Sequence, residues 1–382
     1  MKTALIAGQP SWKFASDKVE AAITRMGGHL APVRFRLGRR VVEPFSIAPW
    51  AAEKCAKGTP PLLQALRGDF FCAPFGGNET SYRSEKHPPH GEAANANWRF
   101  ATLERTAHST TLHLSLKTKV RRGHIRKSIA LRRGQTALYC RHVLSGFTGP
   151  MNFGHHAMLK FPDAPESGHL STSPIQYGQV LPTRFENPAQ GGYSSLLPGA
   201  VFRRLDHVPS VFGGNVDVSR YPARRGFEDL LMVVHTTRGN FAWTAVAFPE
   251  EGYVWFSLKD PSVLQSTVLW ISNGGRHYAP WNGRHVNVMG LEDVTSYFHY
   301  GIAESARKNP VNRLGHATAH QLSPKTPLVV NYIMGVAAIP RSFDRVREIQ
   351  PERGGIALVS SSGRTVHTKV DIEFLSSIPN ET

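Results

Sequence analysis

The feature that most constrains this chain is a period of two in its apolar residues. Across 111–120, Leu112, Leu114, Leu116 and Val120 alternate with His113, Ser115, Lys117 and Lys119. Successive side chains of a strand point to opposite faces, so this pattern predicts a strand with one buried and one wet face. Near the end, Val366, Val370, Ile372 and Phe374 stand opposite His367, Lys369, Asp371 and Glu373 in the same way. Between them, the segments 136–144, 230–235, 241–248, 253–258, 268–271, 286–291 and 328–338 are short and rich in Val, Phe, Tyr, Trp and Thr. Gly, Pro, Asn or Asp bound them, as expected of strands. Helical signals are few. Residues 17–26 read either as a helix stopped by Gly27-Gly28 or as a strand entering a Gly-Gly turn. Residues 300–308 and 342–349 read as short helices ending before Pro310 and Pro351. Many strands without regular βα alternation predict an all-β fold, a sandwich or a barrel.

Composition agrees with that class. With 34 Gly and 27 Pro and only 19% charged residues, the chain is turn-rich without low complexity. An excess of 45 Lys and Arg over 28 Asp and Glu gives a net charge of +17, which suits an acidic partner or a solvated basic surface. The basic residues are spread out. Their densest group, Lys117, Lys119, Arg121, Arg122, Arg126, Lys127, Arg132 and Arg133, lies in alternating sequence, where solvent faces and hairpin turns are expected. No nucleic-acid motif accompanies it, so nucleic acid is not the expected partner. Cys55, Cys72 and Cys140 are odd in number and unpaired in spacing, which fits buried thiols in a reducing compartment. The first residues carry too short an apolar run for a secretory signal. No stretch reaches the about 20 apolar residues of a membrane span. A cytoplasmic protein without a membrane partner is expected.

Three short sites bring chemistry. The first is His90-Gly91, after the apolar run 70–75 and Gly76-Gly77, with Trp98 beyond. The second is Gly154-His155-His156. The third is Leu291-Glu292-Asp293, at the end of a buried strand. Together they supply one carboxylate and separated imidazoles, the group types of proton transfer. Pro88-Pro89 favours a three-residue turn that would put His87 and His90 on one side. With no HExxH, HxH or Cys-rich site, no metal is expected. The chain has no GxGxxG, no P-loop and no GxSxG, so no cofactor is expected and no serine-esterase elbow exists.

In order and flanking residues these sites resemble the aldose 1-epimerase (galactose mutarotase) superfamily. Pro74, Gly76, His90, Gly91 and Trp98 match its first motif. His156 matches the histidine of its Gly-x-His motif, with His155 as the x. Ala157 stands where proline is usual and Leu159 where an aromatic is common, so both histidines stay candidates for the acid. Glu292 matches the carboxylate that ends the third strand, and Asp293 replaces the commoner proline. The resemblance implies a large antiparallel β-supersandwich over residues 1–382 as one domain, with 301–382 an integral C-terminal extension. It implies Glu292 as general base, His156 as general acid and His90 as a ligand of a sugar hydroxyl. His155, Asn78, Arg83, Arg284 and Trp281 are expected as further substrate contacts. Trp243, Trp255 and Trp270 are softer stacking candidates, and Asp217 and Asp229 softer hydroxyl binders. Arg276, like Arg284, flanks Trp281 and suits an anionic sugar. The implied activity is interconversion of sugar anomers, on a neutral or an anionic sugar. Alternatives are a non-catalytic carbohydrate-binding or sensing protein on the same fold, or a protein acting on acidic sugars by lyase-type proton abstraction.

Overall fold

The computed structural model describes residues 1–237 and 239–378. Two large antiparallel sheets dominate. In the nine-stranded sheet the order runs Arg220–Tyr221, Gly168–Thr172, Ala242–Phe248, Tyr253–Lys259, Leu328–Ala338, Ala137–Ser145, Gly123–Arg132, Ser109–Thr118 and Arg99–Arg105. In the eight-stranded sheet it runs Val201–Phe202, Ile175–Val180, Phe227–His235, Ser266–Asn273, Val288–Thr295, Phe153–His155 and Phe71–Cys72. Ala157–Lys160 pairs beside Phe153–His155 on the same neighbour. A five-stranded meander from Ala4–Ile6 to Arg40–Val42 adds its apolar face to the same core. The architecture is the all-β sandwich that the alternation predicts.

Several strands are buried on both faces, which is why they read as continuous apolar runs. In Phe227–His235, Leu231 and Val233 face the space between the sheets. Leu230, Met232 and Val234 join a second apolar layer with Trp50, Phe70, Trp270 and Trp281. The far face of the nine-stranded sheet, including Trp243, Val254 and Phe256, is covered by Phe343, Val346, Ile349, Leu358 and Phe374 of the C-terminal region. Leu328–Ala338 itself lies mid-sheet, between Tyr253–Lys259 and Ala137–Ser145.

Some local expectations change. Of the two readings of residues 17–26 the strand holds, as Val19–Thr24. The helix expected over 342–349 is replaced by the strand Val346–Glu352. A register shift between Val346 and Glu348 puts buried Val346 and Ile349 three residues apart, imitating helical spacing. The alternation after Val366 ends early: Thr365–Thr368 is a strand, and Ile372–Ser376 is a short 3₁₀ turn whose Glu373 N–H donates to the Asp371 side chain. Residues 300–308 do hold a short helix, Ile302–Ala306. Two members of the basic group are not on a solvent face. Lys127 is buried, with Nζ 2.9 Å from the Gly28 carbonyl and over the Trp98 ring; Arg121 is buried against Glu85. No helix among the described residues is long and apolar enough to cross a membrane.

Candidate functional site

Strand register brings the second and third sequence sites together. Val288–Thr295 pairs with Phe153–His155 through Gly154↔Val294 and with Ala157–Lys160 through Ala157↔Leu291. That single register sets His156 opposite Glu292 and His155 opposite Asp293. Gly154 permits the approach, because a Cβ there would lie 2.4 Å from the Asp293 carbonyl oxygen. Side chains then alternate between faces. His156 and Glu292 leave the sandwich on its outer side, with His156 Nε2 3.1 Å from Glu292 Oε1. His155 and Asp293 turn inward. His155 Nδ1 is 2.8 Å from Asp69 Oδ2, and its ring stacks on Tyr332. Asp293 accepts from Lys259 Nζ at 2.5 Å, Thr267 Oγ1 at 2.6 Å, Ser257 Oγ at 2.7 Å and the Tyr332 hydroxyl at 2.8 Å.

The first sequence site reaches the same place through a loop. Gly91 lies at φ 72°, where a Cβ would meet the Ala73 carbonyl oxygen at 2.1 Å, so the loop closes only on glycine. The His90 amide donates to the Gly76 carbonyl. Its Nδ1 accepts from the Gly76 N–H at 3.4 Å, with Cys72 Sγ also at 3.4 Å. This assigns the ring proton to Nε2. The His90 and His156 rings meet edge to face at 5.0 Å.

These groups line a pocket of about 130 Å³. Its polar side consists of His90, His156, Glu292, His299 and Arg276. Phe70, stacked on His156 at 4.4 Å, Phe185, Trp270 and Trp281 add aromatic surface. Leu62, Leu63, Leu66 and Leu230 complete it. Burial dominates the electrostatics. It pushes the Glu292 carboxyl well above the ordinary carboxylate range and lowers His156 to about 3. It also lowers His90 well below the usual histidine value, and His299 to about 4. Arg276 is the pocket's fixed cation. Burial opposes its charge, but the carboxylates of Glu228 and Glu186 hold its pKa above the ordinary value. Its Nε donates to Glu186 Oε1 at 2.7 Å, and the guanidinium lies over Trp281, Phe185 and Trp270. Glu292 Oε2, His156 Nδ1 and His299 Nδ1 are buried without a hydrogen-bond partner. No group of three or more His, Cys, Asp or Glu among the described residues is arranged to hold a metal ion.

Of the residues expected at the site, His90, His156, Glu292 and Trp281 line this pocket. His155 lies in the sandwich interior. Asn78 is a loop latch: its Nδ2 donates to the Pro74, Gly76 and Pro88 carbonyls, and its Oδ1 accepts from Ile302 N–H. Arg83 is exposed beside Tyr82. Arg284 pairs with Glu53 at the surface, at 2.6 Å. Its near neighbour Arg276 is the arginine that reaches the pocket. Trp98 is buried and donates to the Ala93 carbonyl, supporting the turn after His90. His87 pairs with Glu85. Trp270 lines the pocket, while Trp243 and Trp255 belong to the core. Asp229 anchors Ser195 and Leu196, and Asp217 caps Ser219. His299, Phe185 and the three leucines of 62–66 were not singled out by the sequence. Only their proximity along the chain to known segments offered a signal, as with His299 shortly after the Glu292 strand.

No protein-family model matches the chain, and a search of curated proteins finds no match. Solved structures do match. A galactose mutarotase related enzyme from Lactobacillus acidophilus aligns at 13% identity and a TM-score of 0.55, over 86% of this chain and 98% of its own. A galactose mutarotase-like protein from Clostridium acetobutylicum aligns at 12% identity and 0.56, over 88% and 98%. An Escherichia coli K12 protein with a provisional assignment as an aldose 1-epimerase aligns at 12% and 0.58, over 87% and 100%. By fold, the chain is a galactose mutarotase-like β-sandwich.

Proposed function

We propose that this protein is a mutarotase-like isomerase that interconverts the anomers of an aldose in the His90–His156–Glu292 pocket. The observation that carries the reading is the His156–Glu292 pair, 3.1 Å apart on adjacent strands and facing the pocket beside His90. Anomer exchange requires a proton to leave the anomeric hydroxyl and another to reach the ring oxygen. Both oxygens sit on one carbon, so a carboxyl and an imidazole held close together, and parted by the entering sugar, serve both transfers.

The pair at rest holds one proton. Burial favours the neutral form of each partner, which leaves the proton on Glu292 and His156 unprotonated. During ring opening His156 Nε2 takes the hydroxyl proton while Glu292 gives its own to the ring oxygen. The carbonyl rotates. Closure then runs the transfers backwards: Glu292 recovers a proton from the C5 hydroxyl, and His156 returns one to the carbonyl oxygen. The opposite starting tautomer, with Glu292 as base and His156 as acid, carries the same number of protons. His90, with Nε2–H free to donate, binds a sugar hydroxyl.

The test is polarimetry of freshly dissolved aldoses with catalytic amounts of protein. The proposal expects equilibration of at least one aldose well above the buffer rate. Rates equal to buffer for every aldose, neutral or anionic, would overturn it.

A further inference from the structure

We infer that the pocket selects 6-deoxyaldoses, sugars with a methyl group in place of the exocyclic hydroxymethyl, over the parent aldohexoses. The inference rests on the anomer-exchange reading and names the substrate class of that site. It comes from how the pocket divides. The proton-transfer pair, His90, His299 and Arg276 make up its polar side. His90 presents a donor, and Arg276 spends only Nε on Glu186 among the described residues, so its terminal nitrogens remain to meet ring hydroxyls.

The remaining wall differs in kind. Leu62, Leu63, Leu66 and Leu230 present hydrocarbon alone. The backbone of the short helix Pro61–Ala65 and the residue after it does not make up the deficit. Leu62 N–H donates to Asn95 Oδ1 at 3.0 Å, the Leu63 carbonyl accepts from Trp50 Nε1 at 2.8 Å, and the Leu66 carbonyl accepts from Ala48 N–H at 3.0 Å. The nearby Trp270 indole N–H is held by Glu228. A hydroxymethyl directed at this wall loses its water and finds no partner, whereas a methyl in the same place packs on leucine. A sugar lacking that carbon leaves the leucines uncovered.

An apolar pocket rejects an added hydroxyl by up to about a hundredfold, and a missing carbon by about tenfold or more. Two matched series read this directly: D-glucose, 6-deoxy-D-glucose and D-xylose; and D-galactose, D-fucose and L-arabinose. For each sugar, NMR exchange spectroscopy gives kcat/KM for anomer interconversion, and saturation-transfer titration gives Kd. The inference expects the 6-deoxy sugar of at least one series to exceed both companions by about tenfold or more in kcat/KM. In Leu63→Gln, which brings an amide to the half-buried leucine, the preference over the parent hexose should fall about tenfold. Equal or better turnover of the parent hexoses would overturn the inference and leave the isomerase reading intact. Tighter binding of the 6-deoxy sugars without any acceleration would remove the isomerase reading and keep the pocket's selectivity. Neither binding nor acceleration of any of the six would overturn the inference, and the isomerase reading would then stand or fall on the wider aldose panel.

Discussion

Glu292 has no Lys or Arg within ion-pair distance among the described residues, and its Oε2 makes no hydrogen bond, while its neighbour Asp293 lies in a basic and hydroxyl-rich nest. Two adjacent carboxylates are thus driven in opposite directions. Burial raises Glu292; for Asp293 burial also pushes upward, but Lys259 and the Thr267 and Ser257 hydroxyls outweigh it and its pKa falls. A raised carboxyl costs stability once pH exceeds its unfolded value, so Glu292→Gln should leave stability at pH 7 unchanged or higher in urea unfolding, while removing activity. A lowered carboxyl contributes stability above its unfolded value and loses it as pH falls. Asp293→Asn strands the buried Lys259 cation, and urea unfolding should show a loss of about 3–5 kcal/mol. The proposed proton-transfer pair also sets a pH profile. One shared proton means a plateau at neutral pH. Activity is lost toward the His156 value of about 3 as a second proton binds, and at high pH as the raised carboxyl finally ionises. A kcat profile that peaks sharply near pH 6.5 would contradict this.

At the scale of elements, the site depends on a strand pair and one glycine beneath it. Gly290 shares a face with Glu292, and a Cβ there would lie 2.8 Å from Glu292 Oε1 and 3.1 Å from Trp270 Cβ. Gly290→Ala should turn the carboxylate away from His156 and lower kcat by about tenfold or more, with steady-state kinetics as the check. Circular dichroism should remain that of the parent sandwich. The period of two made the strands legible, and it also contained the distinction between His155 and His156. Which histidine faced outward required knowing which neighbour each strand pairs with, and a local pattern does not carry that. The same limit hid the outer wall. Leu62–Leu66, Phe185 and His299 come from loops and a short helix far apart in sequence, joined only by packing against the eight-stranded sheet. Arg284 and Arg276 illustrate the difference. Both flank Trp281 in the chain, yet Arg284 finds Glu53 at the surface and Arg276 finds Glu186 beneath the aromatic rings. Where a bulge intervened, as at Val346–Glu348, the period itself was misleading.

For the whole molecule, burial of histidine governs the response to acid. His29, His156, His235 and His285 are lowered to about 3 and His299 to about 4, each chiefly by burial; His90 and His142 lie well below their usual value for the same reason. Below pH 6.5 the unfolded chain binds protons at these positions that the folded chain refuses, so stability must fall as pH falls from 6.5 toward 4. Glu228, raised to about 7 by burial, works the other way, losing stability as pH rises from 4.5 to 7, as do the raised Glu292 and Asp229, but they are three groups against seven. The urea midpoint should therefore drop steeply between pH 6.5 and 5, with several protons taken up on unfolding; a flat midpoint across that range would contradict the buried histidines. Whether the outer pocket exchanges anomers is decided by NMR exchange spectroscopy on wild type, Glu292→Gln and His156→Gln side by side with a panel of aldoses. Wild type should accelerate exchange, both variants should lose about 10²–10⁴-fold, and sugar binding should be retained. Acceleration that survives both substitutions, or none by wild type, would contradict the isomerase reading.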